Sequence, residues 1–231
     1  MTNVLVLAGG SPHAHDFAST GAALAALVTR AGHRVEVVAH PDEAAAHVDG
    51  AVAVDALVVN ALWWRMLGDV YEPWRDEFGY SPPAATRDAL TDFVDGGGGL
   101  VAMHTAPICF DDWPGWCDIV GGAWRWGIAS HPPRGPVVAR VVAEHAVVAG
   151  LPRELELIDE VYGDLAVGDD VTVLAVANRD PDDADQPVVW AHHYGGGRVV
   201  FDGFGHDARS IHAPAHARLI TQALAWVLEK Q

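Results

Sequence analysis

The chain has 231 residues, half of them hydrophobic and only 19% charged, so it has apolar surface enough for a core and no disorder signature. Its length suits a single α/β domain over residues 1–231, because one core rarely grows past ~250 residues before dividing. With 14 basic against 31 acidic residues and a formal net charge of -17, the chain repels phosphate backbones and anionic lipid, which excludes nucleic acid and membrane surfaces as partners.

Val4 to Leu7 reads as a first strand rather than a signal peptide, since no basic segment precedes it. A helix is predicted from about Ser19 to Ala31, closed by Gly32, and is followed by strands at Val35 to Val38 and Ala56 to Val59. A helical region from Pro83 to Val94 leads through four glycines into a strand at Leu100 to Met103. This alternation gives βαβ units and a parallel sheet. The second half changes character: Val137 to Val142, Val171 to Val176, Val188 to His192 and Val199 to Asp202 all read as extended, so later strands should prolong the sheet. Pro214 to Leu228 closes the chain as a helix. No run approaches the ~20 apolar residues that span a bilayer. Cys109 and Cys117 form neither a CxxC pair nor a disulfide framework, which fits a reducing, cytoplasmic location.

Two connections, Asn60 to Pro82 and Thr105 to Pro136, far exceed the usual ~4–6 residues and hold or border seven of the nine tryptophans. Indole offers a flat apolar face with a polar edge, which suits stacking on a sugar ring, and Trp63, Trp113 and Trp124 are the candidate walls. The polar candidates lie at strand ends, where open α/β sheets present ligands. His15 and Asp16 follow the first strand, His104 follows Met103, and His206 and Asp207 follow Asp202. His131, and Asp159 with Glu160 inside an apolar run, fall outside that logic. The remaining histidines, His216 among them, read as surface or structural residues.

The segments GGGLVAMHTA, FDDWPGW, IVGGAW, SHP, IDEVY and GGGRVVFDGFGHD, in this order along nearly the whole chain, resemble the ThuA-like trehalose-utilisation family. The resemblance implies a flavodoxin-like α/β fold of the class I glutamine amidotransferase type, a role in carbohydrate metabolism, and His104, His131, Glu160 and His206 as pocket residues. His15 and Asp16 match a more variable loop of the family. Amidotransferases of this fold carry a cysteine nucleophile at the elbow occupied here by His104, with Cys109 five residues further on, so glutamine hydrolysis is not expected.

Histidines with a glutamate serve two chemistries. As acid and base, imidazoles titrate near neutral pH and a buried glutamate can be tuned upward. As ligands, His104, Glu160 and His206 make a zinc or similar divalent site assembled from distant segments. The expected function is an enzyme acting on a sugar or a 3-keto-glycoside, with His104, Glu160 and His206 catalytic and His15, Asp16, Trp63, Trp113, Trp124, His131 and Asp207 binding substrate. The alternative is a non-catalytic sugar-binding or regulatory module. Assembly as a homo-oligomer is left open.

Overall fold

The computed structural model describes residues 1–180 and 182–229, so the expected 1–231 domain includes three residues, 181, 230 and 231, outside the described set. The chain forms β1 (Asn3–Leu7), α1 (Phe17–Arg30), β2 (Arg34–Val38), α2 (Pro41–Val48), β3 (Ala56–Val59), α3 (Glu72–Phe78), α4 (Ala84–Asp95), β4 (Gly99–Met103) and α5 (Pro114–Val120). There follow β5 (Gly122–Ala123), β6 (Gly135–Val141), β7 (Glu154–Asp159), β8 (Ala166–Val167), β9 (Thr172–Ala177), β10 (Gln186–Tyr194), β11 (Gly197–Asp202), α6 (Ala208–His212) and α7 (Pro214–Val227). Nine strands make one sheet in the order β2-β1-β3-β4-β11-β10-β9-β6-β7, and β5 pairs with β8 beside it. This is the flavodoxin-like α/β arrangement expected from the sequence.

The sheet has two halves. From β2 to β11 every pair is parallel, and the inner strands β1, β3 and β4 are buried on both faces, as their unbroken apolar runs require. Alternation along β1 sends Val4 and Val6 against α1 and α7, and Leu5 and Leu7 into the opposite core with α4 and α5. From β11 onward every pair is antiparallel. Four reversals bring β7 back to the sense of β11, so Asp159 and Glu160 emerge at the rim that carries the ends of the parallel strands. The expectation that these two acids lie outside the strand-end logic is therefore corrected. Its cause is β7 itself: ELELID alternates exposed and buried residues and forms a strand that no run of apolar residues announces.

On a flat sheet the ends of β7 and β11 would lie ~19 Å apart, four spacings of ~4.8 Å. Yet the Gly205 amide donates to Asp159 Oδ2 at 2.9 Å, so the antiparallel half curls until its edge meets the loop after β11. The glycine run after α4 allows another close approach: a Cβ on Gly99 would sit 2.6 Å from the Val227 carbonyl oxygen.

Candidate functional site

His104 sits where β4 ends. Its backbone takes φ 48°, a left-handed conformation that costs a non-glycine residue about 1–2 kcal/mol. The turn is held because the His104 amide donates to the Asp202 carbonyl at 2.8 Å, extending the β4–β11 ladder by one bond. The ring is fully buried, and Nδ1 lies 3.2 Å from the Gly203 carbonyl. A carbonyl only accepts, so Nδ1 carries the proton and Nε2 presents a lone pair. Around Nε2 gather His15 Nε2 at 3.0 Å, from the loop after β1, and the Tyr162 hydroxyl at 3.3 Å.

Glu160 places its carboxylate between several of these imidazoles. Its Oε2 lies 3.3 Å from His206 Nδ1, 3.5 Å from His131 Nδ1 and 3.7 Å from His104 Nε2. Burial alone would raise its pKa, but His206, His104 and His131 together hold the carboxyl below the usual range. The expectation of a glutamate tuned upward is thus reversed, since several imidazoles outweigh desolvation. Burial pushes His104 down to about 4, and burial with the neighbouring His104 and His206 pushes His15 down to about 3. His206 moves the other way, raised by its interaction with Glu160. At neutral pH the site therefore holds an ionised glutamate, two neutral imidazoles and one imidazole biased toward its cation.

Asp159, fully buried beside them, ties the site together. One oxygen accepts the Gly205 amide, the other accepts the Glu160 amide at 2.8 Å, and His104 Nδ1 is 4.0 Å away. Sequence reasoning gave neither Asp159 nor Tyr162 a role, although both lie in the IDEVY segment. Burial raises the Tyr162 hydroxyl well above its ordinary pKa, so it remains a donor.

A cavity of about 280 Å³ opens above the cluster, walled by His15, Trp124, His131, Glu160, Tyr162 and His206, with Trp64, Tyr71 and Trp126 on its outer side. Of the other residues singled out from sequence, Trp63 and Trp113 lie in the core below. Trp63 donates to the Ala39 carbonyl at 3.1 Å, and Trp113 packs on Phe110 and Trp116. The neighbouring Trp64 belongs to a separate cluster at the rim, so two adjacent indoles serve opposite sides of the chain. Asp16 caps α1 through the Ser19 amide, and Asp207 caps α6 through the Ser210 amide while pairing with Arg134.

His15, His104, Glu160 and His206 each offer one ligand atom, all within 4.8 Å of one another. A tetrahedral ion with bonds of ~2.0–2.1 Å places its ligand atoms roughly 3.3 Å apart, which compares with 3.0 Å between His15 and His104, 3.3 Å between His206 and Glu160 and 3.7 Å between His104 and Glu160. Nδ1 of His15 is buried without a hydrogen-bond partner among the described residues, and Nδ1 of His206 is buried facing Glu160 Oε2 at 3.3 Å. The Nδ1 to backbone-carbonyl bond of His104 is the support that metal-binding imidazoles commonly have. Three imidazoles and a carboxylate thus fit a divalent cation such as zinc.

No curated protein matches the chain. Among solved structures, a protein from Parabacteroides merdae described as ThuA-like superposes with a TM-score of 0.78 at 18% identity, covering 98% of this chain and 90% of that one. A second ThuA-like protein, from Bacteroides uniformis, gives 0.70 at 18% identity over 98% and 91%. A β-galactosidase from Rahnella sp. R3 gives 0.64 at 15% identity, covering 99% of this chain and 32% of that one. At these identities the likeness is one of fold. The sequence model of the ThuA family, described as trehalose utilisation, matches residues 3–227, and the chain belongs to that family.

Proposed function

We propose that this protein is an enzyme of carbohydrate metabolism that moves a proton on a sugar or 3-keto-glycoside bound above His104, with residues 1–231 working as one cytoplasmic domain. The family assignment supports the carbohydrate-related role. The observation that carries the chemistry is the convergence of four imidazoles and one carboxylate under an aromatic wall. Neutral His104 offers its Nε2 lone pair as a base to the proton on the carbon beside a carbonyl, and His206, biased toward its cation, donates to the oxygen on which charge collects. Glu160 biases His206 toward its cation, and Trp124 supplies a face for the ring.

A second reading rests on the convergence of four potential ligand atoms, from His15, His104, Glu160 and His206, within 4.8 Å of one another. A divalent cation held by His15, His104, His206 and Glu160 would polarise that same carbonyl. The two readings make exclusive use of His104 Nε2, free as a base in one and spent as a ligand in the other. Metal analysis of the purified protein, with turnover assays on trehalose and 3-keto-trehalose with and without chelator, separates them. Metal-free protein that turns over the keto-sugar supports the first. Tight sugar binding with no turnover under either condition replaces both with a sugar-binding module.

A further inference from the structure

The histidine cavity is too small for two sugar rings, lying just below the ~300–1,000 Å³ of ordinary ligand pockets. It does not end there. A second cavity of about 470 Å³ adjoins it across Trp64, Tyr71 and Trp126, and is floored by Leu67, Arg65 and Asp111. We infer that this annex is the subsite for a second, uncharged pyranose ring of a disaccharide whose first ring lies over His104, an inference that rests on the sugar-directed function proposed above.

The annex has the parts such a ring requires. Trp126 and Leu67 are 49% and 62% exposed, large apolar surfaces left in water at the mouth of a polar site, where the C–H face of a pyranose would cover them. Arg65 supplies the hydroxyl edge. Its backbone amide donates to Asp111 Oδ1 at 3.0 Å, and its Nε lies 3.3 Å from both carboxylate oxygens, which fixes the side chain. Neither Nη makes a hydrogen bond among the described residues, so a fork of donors remains for neighbouring hydroxyls. Trp64, in the wall shared by the two cavities, also has an indole N–H without a partner among the described residues. A guanidinium could equally take a phosphate or carboxylate, but Asp111 is buried and already balances this one. The chain's net charge of -17 opposes an anion further.

Calorimetric titration of the full chain with methyl α-glucoside, trehalose, their 3-keto derivatives and trehalose 6-phosphate tests the assignment. The disaccharide should bind more tightly than the monosaccharide. Arg65→Ala, which keeps the backbone bond to Asp111, and Leu67→Asp, at an exposed position, should each remove on the order of tenfold of disaccharide affinity and leave the monosaccharide unchanged. Equal affinities for one and two rings, or variants that weaken both alike, overturn the subsite while leaving the histidine pocket standing. Tighter binding of the 6-phosphate than of trehalose overturns the uncharged ring. A change in particle mass on Leu67→Asp with unchanged sugar affinity reassigns the surface to a second copy of the chain. Binding of no probe at all overturns the proposed function first, and the subsite with it.

Discussion

His104 and His216 are both fully buried and lie on either side of Asp202, yet they are opposites. His216 has an acceptor at each ring nitrogen: Nε2 is 2.9 Å from Asp202 Oδ2, and Nδ1 is 2.9 Å from the Ser210 carbonyl. Burial alone would depress it, but the private carboxylate prevails and its pKa is raised. Among the described residues His104 has a carbonyl acceptor at Nδ1 and no carboxylate of its own, sharing Glu160 with His206 and His131, so burial prevails and its pKa falls. Equal burial therefore yields a closed clamp in one place and, in the other, a lone pair that faces His15 and Tyr162. The clamp serves the site, because Asp202 also accepts the Phe204 amide at 3.2 Å and so holds the loop that carries His206.

The comparison breaks most visibly at the open member. His104→Ala and Glu160→Gln should each lower turnover on the true substrate by ~10²–10⁴-fold while sugar affinity changes far less. Melting temperatures near wild type should accompany the loss, and binding that weakens in proportion to turnover would assign both residues to positioning. His216→Ala should act on stability instead. It strands the Asp202 charge in the core, at a cost of about 3–5 kcal/mol by urea unfolding. The raised pKa sets the pH dependence. Because the folded pKa lies above the unfolded ~6.5, the contribution of His216 is fully present below about pH 6.5 and fades as pH rises through the folded value. The stability difference between wild type and His216→Gln should shrink in the same direction, and a gap that widens with pH would refute the clamp.

The sequence made the parallel half legible and the antiparallel half only partly so. Runs such as VLVL, ALVV and LVAM are buried on both faces and need no partner to be recognised, and the residue after each then has an address. By that route His104, His206 and His15 were found. Glu160 stood out as an acid inside an apolar run, and the family resemblance put it in the pocket; its place at the rim was not legible, because its strand alternates and its neighbour in space lies four strands away. The tryptophans were legible as a group and not singly. Trp63 and Trp64 are adjacent, and only the packing of each side shows which faces the core. Caps misled for a related reason: Asp16 and Asp207 follow strands as ligands do, but each is used to start the next helix.

A smaller effect sharpens the split among the tryptophans. Trp124 stands in the cavity wall beside Tyr162 and His131, so Trp124→Ala should weaken sugar binding about 2–10-fold, the ~0.5–1.5 kcal/mol of an aromatic contact, and leave unfolding nearly unchanged. The reverse pattern, lost stability with intact binding, would return Trp124 to the group of Trp113.

The smallest effect belongs to the cysteines, and it tests whether the elbow hosts a base rather than a nucleophile. A nucleophilic thiol must ionise, and Cys109 is placed against ionisation: it is buried, its Sγ donates to the Ala61 carbonyl at 3.0 Å, and burial pushes its pKa up to about 12. Cys117, half-buried beside Asp118, is raised as well. Serine keeps the donor to Ala61, so a Cys109→Ser, Cys117→Ser double variant should retain wild-type turnover and lose no more than about 1 kcal/mol of stability. In the folded protein iodoacetamide should label Cys117 slowly and leave Cys109 unmodified. Loss of turnover at an unchanged melting temperature would restore the thiol to the chemistry and make His104 its activator instead of the base itself.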